Sequence, residues 1–187
     1  MKSFTIYILA LLLMTLIGCS DKSNSSQEMT AEFDSISLPD SELRIAQIKF
    51  YKKGVITSEI LSDKIINFDA KDSMLAYTLH IKILDSLGTA TTTISGDSGI
   101  IQEVQGAVKI YGHVIVITDD STKLETEYLW WNSYTNRIKS DAFVRITRQG
   151  EAVISGWGLD ADNQLKSFKI LNQVSGEISD PERLDTK

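Results

Sequence analysis

The feature that most constrains this chain is a two-residue alternation that recurs along most of its length. Tyr77, Leu79, Ile81 and Ile83 interleave with Thr78, His80, Lys82 and Leu84, which predicts a strand with one apolar and one mostly polar face. Val104, Gly106, Val108, Ile110, Gly112, Val114 and Val116 share one parity, against Gln105, Lys109, Tyr111 and His113 on the other. Ile138, Ala142, Val144 and Ile146 repeat the arrangement against Lys139, Asp141 and Arg145. From Leu43 onward no stretch keeps a helical apolar period for three turns. An all-β domain follows, and the abundance of Ile (23), Val (8) and Thr (15) leans the same way.

The strands also recur. Ile94-Ser95-Gly96, Leu124-Glu125-Thr126 and Ile154-Ser155-Gly156 stand thirty residues apart, each followed three places on by Gly99, Leu129 or Leu159. A fainter copy is Ile60-Leu61-Ser62 followed by Ile65. The unit is a hairpin of about thirty residues, repeated roughly four times between residues 39 and 178. Turn chemistry separates the strands at Lys52-Lys53-Gly54, Asp69 to Asp72, Asp85 to Gly88, Asp119 to Ser121, Asn132 to Asn136, Arg148 to Gly150 and Asp160 to Asn163. One hairpin cannot bury its apolar face alone, so the copies must stack into a sandwich or a rolled sheet. The terminal strands of such an array carry unpaired N–H and C=O groups, which are capped or used to add a neighbour's strand.

Catalytic chemistry finds little support. Gly96-Asp97-Ser98-Gly99 matches the nucleophile segment of trypsin-like proteases, but that chemistry needs a histidine base placed by a buried aspartate. His80 and His113 are the chain's two histidines, and neither stands in such a context. The segment also occupies the repeat position of Thr126 to Leu129, so it reads as a strand with small residues at a bend. Two isolated histidines and one cysteine build neither a His-rich nor a Cys-rich metal site. Asp160 and Asp162 lack the glycine and distal glutamate of a calcium loop. Trp130 and Trp131 point to opposite faces of a strand, one of them into the core. No cofactor is called for. A net charge of −6 argues against nucleic acid as a partner.

The N-terminus has its own logic. After Met1-Lys2-Ser3 the chain runs from Phe4 to Gly18 without a charge, fifteen residues against the ~20 that a membrane-spanning helix needs. Leu16-Ile17-Gly18-Cys19 resembles the lipobox of bacterial lipoproteins. That likeness implies a signal peptide over residues 1–18, lipidation of Cys19 and a membrane anchor. Residues 19–38 are rich in Ser, Asp and Glu and read as a flexible tether; 179–187 read as a tail. Ser20 follows the cysteine, so the aspartate that retains some lipoproteins in the inner membrane is missing from that place.

Taken in order, the segments Ile48 to Gly54, Thr57 to Asp63, Leu124 to Leu129, Ile138 to Asp141 and Ile154 to Asp160 resemble the LptC family of lipopolysaccharide export and its OstA/LptA-like relatives. Gly156, Gly158 and Asp162, in a Gly-x-Gly-x-x-x-Asp pattern, carry the same likeness. The resemblance implies a rolled antiparallel β-jellyroll, or β-taco, whose inner face holds acyl chains. It also implies a periplasmic protein, anchored to the inner membrane, that takes lipopolysaccharide from an LptB/F/G-like ABC transporter and passes it to an LptA-like protein, without enzymatic chemistry. Candidate lining residues are Leu79, Ile81, Ile83, Ile94, Val108, Ile110, Leu124, Leu129, Val144 and Ile154. Phe168, Ile170 and Asn172 belong to the C-terminal strand expected to pair with the partner. Two other functions compete: an envelope lipoprotein that only scaffolds through its sheet edges, and a hydrolase using Ser98.

Overall fold

The computed structural model describes residues 39–68, 72–148 and 152–178. The predicted signal peptide, Cys19, the tether, the tail and the turn residues Asp69 to Lys71, Gln149 and Gly150 lie outside them. The described residues form nine strands: β1 (Ser41–Lys52), β2 (Val55–Phe68), β3 (Ser73–Leu84), β4 (Ala90–Gln102), β5 (Ala107–Thr118), β6 (Lys123–Asn132), β7 (Arg137–Arg148), β8 (Ala152–Asp162) and β9 (Phe168–Ile178). They form one antiparallel sheet in sequence order, with β1 and β9 at its two ends. Nine strands are one more than four hairpins supply, because β1 stands ahead of the first repeat.

A line of irregularities crosses the middle of the sheet. Register slips by one residue between Ser95 and Ser98, Tyr111 and Val114, Thr126 and Trp130, Ser140 and Phe143, and Ser155 and Trp157. Thr78, Gly112, His113, Gly158 and Gln173 take left-handed backbone angles along the same line. Glycine carries that geometry without strain at 112 and 158, where φ is 75° and 77°. The thirty-residue repeat now has a physical meaning. Its paired positions Ile60/Ile65, Ile94/Gly99, Leu124/Leu129 and Ile154/Leu159 are five residues apart, so a regular strand would turn them to opposite faces. The bend keeps both on the inside. Backbone groups freed there find hydroxyl partners: Ser62 Oγ donates to the Tyr77 carbonyl at 2.6 Å, and Thr126 Oγ1 donates to that of Phe143 at 2.8 Å.

Across this line the sheet folds back on itself, which decides between the rolled sheet and the two-sheet sandwich. Phe50, near one end of β1, meets the ring of Trp131, at the opposite end of β6, edge to face at 6.4 Å. Thr92 Oγ1 donates to the Asn163 carbonyl at 2.8 Å, and an Arg148 guanidinium N–H donates to that of Leu165 at 3.0 Å. The upper half, with the β1–β2, β3–β4 and β5–β6 turns, thus packs its inner face on the lower half, with the β4–β5, β6–β7 and β8–β9 turns. One apolar core fills the space between them, from Ile60 and Ile65 through Leu79, Ile110 and Leu129 to Ile146 and Leu159.

Three readings of the sequence need correction. Tyr77 does not share a face with Leu79: the left-handed Thr78 turns it outward, where it is 39% exposed. Val104 is not a strand residue but stands in the β4–β5 turn, exposed to solvent, because the strand starts at Ala107. Asp160 to Asp162 close β8, and the turn begins only at Asn163. There the Asp162 carboxylate accepts the backbone N–H groups of Gln164, Lys166 and Ser167 at 2.9, 3.2 and 2.6 Å.

Candidate functional site: the inner face and the sheet edges

Nine of the ten candidate lining residues point into the core. Leu79, Ile81, Ile83, Ile94, Val108, Ile110, Leu124, Leu129 and Val144 are each at most 4% exposed. Ile154 is half-buried, with Ile146 of β7 on one side and Gly176 of β9, which has no side chain to cover it, on the other. Alternation found these positions one strand at a time. Ile138 and Ile146, found by the same alternation, share this interior, as do Ile101, Trp131 and Leu159, which alternation did not assign to it. The signal for Leu159 was present in its repeat position, five residues beyond Ile154.

The interior is uncharged. Among the described residues the buried polar side chains are Ser, Thr and Asn, with no Asp, Glu, Lys, Arg or His. A charged group would lose its hydration there without a counter-ion and must stay outside. No group of three metal-ligating side chains occurs among the described residues. Neither histidine is buried: His80 and His113 face solvent on β3 and β5.

Charges lie on the outer face. His113 Nδ1 is 2.7 Å from the Asp97 carboxylate, which together with nearby Glu127 holds the imidazole above its ordinary pKa. Arg137 bonds Asp160 and keeps that carboxyl below the usual range, with Lys139 adding to the effect. Ser98 is half-buried beside this outer surface, where the imidazole of His113 bonds Asp97. A groove of about 590 Å³ also opens on this face, floored by Ile115, Phe143 and Trp157 and edged by Glu125, Glu127 and Arg145.

The edges are the second part of the site. Phe168 and Ile170 of β9 turn inward and pack against the core, opposite Ala161 and Leu159. Asn172 pairs with Trp157 on the outer face and is exposed. The family-like glycines serve this edge. A Cβ at Gly156 would stand 2.7 Å from Ile170 Cγ2 and 2.8 Å from the Asn172 carbonyl. Gly158 supplies the left-handed turn over which the Leu171 side chain lies.

Fold and site together define a jellyroll-type protein: one rolled antiparallel sheet around an uncharged interior, with a strand edge at each end. Several solved structures share this fold. Among them is LptH, described as the LptA homologous periplasmic component of the conserved lipopolysaccharide transport device from Pseudomonas aeruginosa. That similarity covers 65% of this chain and 94% of the other at 10% identity, with a TM-score of 0.50. The chain itself belongs to the LptC-related lipopolysaccharide-assembly family, whose model matches residues 6–179. A role in lipopolysaccharide transport, the work of non-enzymatic transport and bridge proteins, follows from that membership. A search of curated proteins finds no match.

Proposed function

We propose that this protein is a membrane-anchored, periplasmic carrier that takes lipopolysaccharide from an inner-membrane ABC transporter and hands it to an LptA-like protein. Cys19 supplies the lipid anchor, acyl chains travel along the inner face, and β9 donates its free edge to the receiving protein. One observation carries the reading: the interior is apolar and uncharged from one end strand to the other, so a slide for acyl chains needs no charged or catalytic group. Among the described residues β1 and β9 each have a single sheet neighbour, so either edge can take an added strand through main-chain hydrogen bonds.

Photo-crosslinking residues at Ile81, Ile110 and Leu129 should capture lipopolysaccharide, and those at Lys82 and Lys109 should not. The reverse pattern overturns the proposal. A second reading, a scaffold that joins envelope proteins through its edges alone, is favoured by the tight closure of the interior, with nine of the candidate lining residues at most 4% exposed. It predicts no lipid crosslink from any of the five positions, with partner capture at β9 intact.

A further inference from the structure

Among the described residues two buried side-chain polar atoms have no hydrogen-bond partner: Ser58 Oγ and Trp131 Nε1, on side chains that are each 1% exposed. Buried polar groups in native proteins are nearly always paired, so two orphans beside one side chain call for a cause. Both flank Phe50. Ser58 is its cross-strand partner on β2, and the Trp131 ring stands edge to face with it at 6.4 Å. The corner lies where the upper end of β1 and β2 meets the lower end of β6, on the inner face.

The corner is also loosely closed. Phe50 is half-buried, it belongs to the strand that ends the sheet among the described residues, and the β1–β2 register slips immediately after it. An edge of this kind opens more easily than the centre of the sheet. When the ring swings out, it leaves a space bordered by the Ser58 side chain and the Trp131 ring. The indole can only donate, so the group it takes must be an acceptor oxygen; the hydroxyl can donate to that oxygen as well.

We infer that Ser58 and Trp131 form a subsite for the carbonyl oxygen of an ester- or amide-linked acyl chain, beneath Phe50. The inference rests on the lipid-path reading and adds to it a fixed point, at which the chain's linkage is held while its hydrocarbon lies along the inner face. The carbonyl satisfies both orphaned groups; a bare hydrocarbon leaves them unpaired.

The test uses the full chain and a matched pair of single-chain phospholipids, below their micelle concentrations, that differ only in an acyl ester against an alkyl ether linkage. The ester lipid should bind about tenfold more tightly, and the Trp131 indole N–H resonance should move downfield with it alone. Trp131→Phe, which keeps a ring but removes the donor, should bring the affinity ratio close to one. Ser58→Ala, which leaves the fold's large side chains intact, should reduce it. Equal affinities for the two lipids in the wild-type chain overturn the inference. So does an indole resonance already downfield before lipid is added and unmoved by it, which marks an ordered water only. Crosslinks at Ile81, Ile110 and Leu129 without an ester preference sink the subsite and spare the lipid path; no lipid binding and no crosslinks sink both.

Discussion

Adding one methyl group at Gly99 should cost this protein a large share of its stability. Gly99 faces inward at the bend, between Ala76 of β3 and Ile110 of β5. A Cβ there would lie 2.5 Å from Leu79 Cδ1 and 2.6 Å from the Lys109 carbonyl oxygen. Non-bonded carbon contacts settle at about 3.5–4.0 Å, so both neighbours would have to give way by most of an ångström. The leucine tip can rotate. The carbonyl cannot, because it belongs to the main chain of the paired strand and moves only with the β4–β5 ladder. Overpacking of a core typically costs about 1–3 kcal/mol, and the immovable carbonyl puts Gly99→Ala near the top of that range. About 3 kcal/mol is roughly a hundredfold in the folding equilibrium. At a urea slope of about 1–3 kcal/mol/M the unfolding midpoint should fall by about 1–3 M. Ser98→Ala, next door but half-buried on the other face, should shift stability by no more than about 0.5 kcal/mol. A Gly99→Ala midpoint within error of wild type would refute the argument that close strand approach, not catalysis, explains the Gly-Asp-Ser-Gly string.

Other expectations follow from named contacts. His113 should titrate above its ordinary value of 6.5. Its pairing with Asp97 therefore stabilises the fold below the unfolded pKa, and that contribution is lost as pH rises through the folded pKa. Asp97→Asn should lower the imidazole pKa in an NMR titration, and an unchanged value would contradict the 2.7 Å contact. Asp162→Ala strips three turn amides of their acceptor; a loss of about 1–3 kcal/mol and faster hydrogen exchange along β9 should result. Leu129→Ala, in the centre of the core, should cost about 2–5 kcal/mol by urea denaturation. The same truncation at Ile117, which is 46% exposed, should cost far less, and equal losses would argue against the assigned inner face.

Much of the architecture was legible because its period is local. Alternation at Leu79, Ile81 and Ile83, or at Val108 and Ile110, depends only on the pleat, which turns successive side chains to opposite faces. Turn residues such as Asp85 and Gly88 announce themselves in the same way: Asp85 accepts the N–H groups of Leu87 and Thr89 at 2.9 and 2.8 Å. Tyr77 was misplaced because one left-handed residue, Thr78, reverses the alternation, and nothing in the threonine itself signals that φ of 54°. The five-residue spacing in the repeat was visible, yet its meaning required knowing that both members face inward. Ser58 and Phe50 gave no sign of a shared corner with Trp131, since they stand 73 and 81 residues before it and meet only when the sheet closes.

Strand formation, the place of most of the turns and the apolar side of most strands were legible along the chain, because each of these depends on neighbours within a few residues. Its motifs also pointed to the family that the comparison bears out. That the nine described strands form one sheet, folded along a belt of bulges, emerges from the three-dimensional pairing alone. Only the tertiary structure sealed nine of the ten candidate lining residues into a closed interior. The reason is physical: whether an apolar face becomes a packed core or an open cleft depends on what is folded against it, and that partner lies tens of residues away along the chain.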